Sequence, residues 1–248
     1  MVYVTGDTHG YPDHFFYTYG KNKGQLLPQY AALTREDVVI VAGDFGYIHD
    51  APKRVALLDQ LAALPFELCF VDGNHENFDL LYTFPVEQWC GGRVHRIRDN
   101  IRHLMRGEIF RIQGRTIFTF GGAGSIDRSG RIEGLSWWPQ EIPTQEEYDN
   151  ANRNLELQGA DVDYIICHTC PNFLYPYMGV QMDSNAGDEF LIEFLAEVAM
   201  HSPAKNFSQF LYGHWHMDKA FWGGRYRALL DDLVELPLVE KDDASGYH

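Results

Sequence analysis

Five short apolar runs in this chain each end at a turn, and metal-type side chains follow. The first, Val2-Tyr3-Val4-Thr5, reaches Gly6-Asp7-Thr8-His9. A second, residues 38–42, leads to Gly43-Asp44, and a third, residues 68–71, leads to Asp72-Gly73-Asn74-His75-Glu76. Residues 164–167 run into His168, and residues 210–212 run into Gly213-His214-Trp215-His216. Runs this short, rich in Val, Ile, Tyr and Phe and bounded by turn residues, read as buried strands. Ligands of open α/β sheets bind beyond the carboxyl ends of strands, so five strand ends can gather one cluster of Asp, Asn and His.

The intervening pattern predicts the connections. Asp50-Ala51-Pro52 marks a helix start, and Val55, Leu58, Leu61 and Ala62 share one helical face until Pro65. With a strand on either side this is a βαβ unit, whose strands are expected to be parallel and adjacent. Residues 11–23 read as a loop and residues 25–33 as a helix. Residues 94–98 and 101–104 are extended, and residues 110–120 form a hairpin about Gln113-Gly114. That mixture predicts a second sheet, more antiparallel than the first. Residues 121–143 are a loop, and the capping box Thr144-Gln145-Glu146-Glu147 opens a helix to about Leu157. Residues 162–167 and 209–212 are strands, and residues 188–200 carry apolar side chains at helical spacing. Residues 226–236 are expected to return along the sheet, and residues 240–248 to form a frayed acidic tail. No repeat or linker divides the pattern, so residues 1–248 are expected to be a single domain.

Composition narrows the partners. The formal net charge of −15 argues against a broad phosphate-gripping surface for duplex DNA or an anionic membrane. A small anionic substrate at a locally positive site remains compatible with it. The start lacks the basic region of a signal peptide, and no apolar stretch is long enough for a membrane span. Two of the four cysteines sit inside expected core strands, which favours reduced thiols in a cytoplasmic protein. Cys167 and Cys170 form an isolated Cys-x-x-Cys that ends a strand, and they read as structural thiols. The alternating basic residues between Arg93 and Arg106 read as a solvated strand face.

The candidate metal ligands are Asp7, His9, Asp44, Asn74, His168, His214 and His216, three oxygen donors and four imidazoles. That is too many for one tetrahedral ion and suits two ions sharing a carboxylate. Mixed nitrogen and oxygen donors fit manganese, iron or zinc better than magnesium or calcium, and manganese is the expected metal. Two such ions form a positive centre that holds phosphoryl oxygens and lowers the pKa of bound water. His75, beside Asn74, is the candidate group for protonating the leaving oxygen or steadying the phosphoryl charge. Arg128, Arg131 and Trp137 in the 121–143 loop are candidate substrate contacts, because Arg grips phosphate and Trp stacks a base.

At these residues the chain resembles the calcineurin-like metallophosphoesterases, whose five blocks all occur here in order from Asp7 to His216. The resemblance implies an α/β sandwich of two mixed β-sheets flanked by helices. It implies that Asp7, His9 and His216 hold one ion, that Asn74, His168 and His214 hold the other, and that Asp44 bridges. It also implies hydrolysis of a phosphomonoester or phosphodiester by a metal-bridging hydroxide, with a nucleotide among the candidate substrates. Where the protein-phosphatase branch follows its second block with Asp and Arg, this chain has Tyr47 and Ile48. That departure disfavours a serine/threonine protein phosphatase and leaves His75 without an evident partner, Asp50 being a distant candidate. A non-catalytic metal-bound module is the rival from another class, and the complete ligand set argues against it. The oligomeric state is not legible.

Overall fold

The predicted βαβ unit organises the first sheet. In the computed structural model, which describes residues 1–158, 161–179 and 188–240, β1 (Val2–Thr5), β2 (Val38–Val41) and β3 (Glu67–Phe70) lie parallel and adjacent. The crossover is α1 (Pro52–Ala62), which buries Leu58 and Leu61. Pro52 occupies its first turn, but Asp50 does not cap it; Ala51 stands at the N-cap, and the Asp50 carboxylate lies 3.0 Å from His49 in solvent. The helix expected over residues 25–33 is reduced to one 3₁₀ turn, Pro28–Tyr30. The reason is Pro28, which forces Leu27 into extended backbone and ends any helix before it starts.

Between β3 and the next expected strand, two short elements escaped the pattern. These are α2 (Phe78–Leu81), capped by the Asn77 side chain accepting from the Leu80 N–H, and β4 (Val86–Trp89). Beyond them, β5 (Gly92–Arg98) and β6 (Ile101–Leu104) are strands as expected, yet they do not begin a second sheet. β6 pairs parallel with β3, and β5 pairs antiparallel with β6 and β4, so all three extend the first sheet. The second sheet begins at the hairpin of β7 (Glu108–Ile112) and β8 (Arg115–Phe120). Gln113 and Gly114 both take positive φ there, the twist a two-residue hairpin needs.

β9 (Tyr164–Cys167) and β10 (Gln209–Tyr212) continue the second sheet in parallel, and β11 (Lys219–Phe221) and β12 (Tyr226–Ala228) complete it. Residues 226–236 do not run along one sheet. After β12 the chain turns on Asp218, whose carboxylate accepts the N–H groups of Leu230, Asp231 and Asp232. It then crosses to pair β13 (Val234–Glu235) antiparallel with β1. The result is two mixed sheets, of seven and six strands. The second is not the more antiparallel one, since three of its neighbouring pairs are parallel.

The sheets pack face to face through Val4, Ile40, Cys69 and Val71 on one side and Phe110, Ile117, Tyr164 and Ile166 on the other. Outside the second sheet lie α3 (Gln145–Gln158), α4 (Tyr175–Met178) and α5 (Glu189–Met200), sealed by Leu155, Leu191, Leu195 and Phe120. The capping box of α3 forms, with Glu147 accepting from Thr144 N–H at 2.7 Å. Among the described residues no helix is long and apolar enough to cross a membrane, and all four cysteines are free. Most of the acidic tail expected over 240–248 lies outside the described residues.

One buried ion network joins the layers next to the third block. Asp72 follows β3; His103 of β6 contacts it at 2.9 Å and Arg106 donates to it at 2.9 and 2.5 Å. Arg106 also donates to the Gln140 carbonyl and to Glu147 of α3. Burial works against the charge on Asp72, but Arg106 and His103 hold it well below the usual carboxylate range. Removing one partner of a buried pair strands the other charge and costs about 3–5 kcal/mol. Arg106→Met is therefore expected to lower urea-unfolding stability by that amount. Arg96→Met, which breaks an exposed pair with Asp99, is expected to move it by less than about 1 kcal/mol in the same assay.

Candidate metal centre

The five blocks leave the carboxyl ends of β1, β2, β3, β9 and β10, and backbone hydrogen bonds stitch them together. His9 N–H donates to the Asp44 carbonyl at 2.7 Å, Gly122 N–H to Asp72, and Gly213 N–H to His168. Four of the seven candidate ligands, His9, Asp44, His214 and His216, sit at positive φ between 47° and 67°. Such backbone costs about 1–3 kcal/mol per residue and persists only where the surroundings enforce it. Two glycines explain how the blocks come so close. A Cβ on Gly73 would lie 2.0 Å from Asp44 Oδ1, and one on Gly213 would lie 2.1 Å from Asp7 Oδ1.

All seven expected ligands meet, and they form two groups joined by Asp44. Ligand atoms of Asp7, His9, Asp44 and His216 lie within 4.8 Å of one another. His9 Nε2 and His216 Nε2 are 2.9 Å apart, and His216 Nε2 is 3.5 Å from Asp7 Oδ2. In the second group, Asn74 Oδ1 lies 3.0 Å from His168 Nε2 and 3.1 Å from His214 Nδ1. Asp44 turns Oδ2 toward His9 at 3.7 Å and Oδ1 toward His168 at 3.4 Å. Asp7, Asp44, Asn74 and His168 are buried, whereas His216 is 56% exposed, so the first group forms the mouth of the site.

These donors fit cations. Asp7 Oδ2 is buried with no hydrogen-bond partner, an arrangement costly for a carboxylate that meets no positive group. His168 Nδ1 lies 2.9 Å from the Ala42 carbonyl, which can only accept, so Nδ1 carries the hydrogen and Nε2 points into the cluster. A metal-binding imidazole is oriented in this way. With protons alone the cluster is frustrated. Burial pushes Asp7 up to about 8, against the pull of His168 and with the help of Asp44. Burial would lower His168, but Asp44 raises it to about 10. Burial lowers His9 to about 4 and His214 to about 3, leaving nitrogen lone pairs turned toward oxygens, Asp44 Oδ2 for His9 and Asn74 Oδ1 for His214. Positive ions among the same atoms relieve each of these conflicts.

His75 stands at the mouth, its ring 5.5 Å from that of His9. Its backbone N–H donates to Asp44 Oδ1 at 2.8 Å. The side-chain partner is Arg131, whose Nη1 is 2.7 Å from His75 Nδ1, while Asp127 pairs with that guanidinium from behind. Asp50 is 85% exposed and faces His49 instead. Tyr47 and Ile48, in place of an acid and a base, are buried in the apolar cluster around α1. Of the other loop candidates, Arg128 pairs with the fully buried Glu141 and lies over the Trp137 ring at 4.6 Å.

Three residues that carry the site had been given no role from the pattern. Glu76 accepts the Phe45 and Gly46 N–H groups and so pins the loop beyond Asp44. Ser125 receives the Asn74 amide, and Glu141 receives Ser125. Glu76 could have been found from its place in the third block. Ser125 and Glu141 lie in irregular chain, where no periodicity marks a buried position.

The calcineurin-like phosphoesterase model matches residues 1–218. No curated protein matches the chain by sequence. Among solved structures, the phosphopantetheinyl hydrolase PptH from Mycobacterium tuberculosis is similar over 92% of this chain and 87% of its own, at 16% identity and a TM-score of 0.44. The sulfate thiohydrolase SoxB from Thermus thermophilus is similar over 79% of this chain and 33% of its own, at 14% identity and a TM-score of 0.39. The family match takes in β1 to β10 and every block that meets at the centre: the chain belongs to the calcineurin-like phosphoesterase family and is a metal-dependent hydrolase.

Proposed function

We propose that this phosphoesterase uses two divalent cations to hydrolyse a small phosphorylated substrate, a phosphomonoester or phosphodiester, with nucleotides among the candidates. The observation that carries this reading is the convergence of Asp7, His9, Asp44, Asn74, His168, His214 and His216 around an unpartnered buried carboxylate oxygen. Asp7, His9 and His216 would hold one cation, Asn74, His168 and His214 the other, and Asp44 would reach both. Manganese is the expected metal, and iron and zinc suit the same donors. When bound, such a pair polarises water into a nucleophile and neutralises phosphoryl oxygens.

The protein's own groups do the positioning. Arg131 can only donate; its Nη1 lies 2.7 Å from His75 Nδ1 and its Nη2 a longer 3.4 Å from Nε2, so the nearer nitrogen, Nδ1, is the acceptor and Nε2 is the one left to carry the hydrogen. His75 then offers a donor to a phosphoryl or leaving oxygen at the mouth. Arg131 lies beside it, where a guanidinium can grip the same phosphoryl group. It would supply from the 121–143 loop the positive charge that Ile48 lacks. Arg128 is already engaged by the Glu141 carboxylate and the Trp137 ring, which supports Arg131 as the contact to the phosphoryl group. The burial of Tyr47 and Ile48 counts against the protein-phosphatase alternative. The complete donor set counts against a non-catalytic module. Four free thiols suit a reducing, cytoplasmic setting.

Three outcomes check the reading. EDTA-treated protein is expected to lose hydrolysis of p-nitrophenyl phosphate and bis-p-nitrophenyl phosphate and to regain it with Mn²⁺; turnover that ignores metal removal would end the proposal. Arg131→Ala is expected to lower kcat/KM by about 10- to 100-fold, the worth of a charge-assisted hydrogen bond of about 1.5–3 kcal/mol. Arg131→Lys should recover little of it, because the planar fork is lost. In a panel of cyclic nucleotides, mononucleotides, dinucleotides and phosphopeptides, the nucleotide substrates are expected to outpace the phosphopeptides in initial rate.

A further inference from the structure

The amide of Asn74 has two faces, and only one suits a cation. Its oxygen is a donor to metal; its NH₂ carries two positive hydrogens. Rotating the side chain by half a turn would swap them and repel an ion between His168 and His214. Something must therefore fix the amide, and the bonds around it show what does.

Asn74 Nδ2 lies 3.1 Å from Ser125 Oγ, and Ser125 Oγ lies 2.6 Å from Glu141 Oε2. Glu141 is fully buried and also receives the Ser125 N–H at 3.1 Å and Arg128 Nη2 at 2.7 Å. Paired with Arg128, the carboxylate accepts and does not donate. The Ser125 hydroxyl must then spend its single hydrogen on Glu141. Toward Asn74 it can only accept, so the NH₂ must face Ser125 and the oxygen must face His168 and His214. The polarity of the chain runs one way, from Arg128 and Glu141 through Ser125 to Asn74.

We propose that Ser125, oriented by Glu141, is a positioning residue that locks the Asn74 amide oxygen toward the His168–His214 position and so sets the affinity for the cation there. This rests on the two-cation reading above. The same loop reaches the next residue, His75, through Arg131. One segment of chain thus orients two adjacent side chains of the third block. Trp138 of that segment is tied to Asp79 after the block by its indole N–H at 2.9 Å.

The test is a titration of the metal-depleted full chain with Mn²⁺, following stoichiometry calorimetrically and exchange coupling between the two ions by EPR. Wild type is expected to bind two equivalents and give the coupled signal. Ser125→Ala should bind the first equivalent unchanged and the second about 10- to 100-fold more weakly, as outer contacts to metal ligands do, with the coupled signal lost at equal Mn²⁺. Ser125→Thr, which keeps the hydroxyl, should restore both. Metal-free Ser125→Ala should fold, with a lower unfolding midpoint than metal-free wild type because two buried hydrogen bonds are lost; if Ser125→Ala does not fold, Ser125→Cys keeps the volume, weakens both bonds, and must weaken the second equivalent. The assignment is overturned if the Ser125 variants bind both equivalents as wild type does, if both equivalents weaken together, or if Ser125→Thr fails to restore the second. A wild-type chain that binds fewer than two ions would overturn the two-cation reading, and this assignment with it.

Discussion

Two buried carboxylates, Asp7 and Asp44, face four imidazoles, and among the described residues no Lys or Arg pairs with either; the rest of the molecule is arranged around that constraint. A buried charge is tolerated only when something of opposite sign repays its lost hydration. At two other buried carboxylates the protein observes the rule with its own side chains: Arg106 serves Asp72, and Arg128 serves Glu141. At the centre it does not. Asp7 keeps a buried oxygen with no hydrogen-bond partner, and the groups beside it are the imidazoles of His168 and His216. On the proposed reading, the site is completed by ions that the chain does not encode.

Holding such a cluster open needs enforcement from outside it. The parallel pairing of β1 with β2 and of β9 with β10 brings four strand ends to one edge. The apolar layer between the sheets fixes the distance between the two pairs. Left-handed backbone at His9, Asp44, His214 and His216 turns their side chains inward. Glu76, Ser125 and Arg131 then act on individual side chains and turns, each through a hydrogen bond whose direction is fixed by its chemistry. Strain and buried polarity thus concentrate at one edge of the sandwich, while the helical flanks are built from ordinary apolar packing.

The sequence made the strand ends legible because buried parallel strands are short apolar runs, and the polar residues that break them stand out. Asp7, Asp44 and His214 lie far apart in the chain, yet each follows such a run. The capping box at Thr144 and the βαβ unit were legible for the same reason: local chemistry and tertiary structure agree there. The pattern failed where they do not. Residues 25–33 look helical until Pro28 is weighed against Leu27. Strands β5 and β6 were assigned to the wrong sheet, because alternation reports that a strand exists and not which edge it joins. Residues 226–236 look continuous, although Asp218, fixed only in three dimensions, bends them from one sheet to the other. The partner of His75 could not be read at all: Arg131 sits 56 positions away in an irregular loop.

The most direct measurement is elemental analysis of the purified chain combined with anomalous diffraction at the absorption edge of the metal found. The account predicts two ions in contact with Asp44, one also held by Asp7, His9 and His216 and the other by Asn74, His168 and His214. A single ion, no ion after growth with added metal, or ions bound away from Asp44 would contradict it.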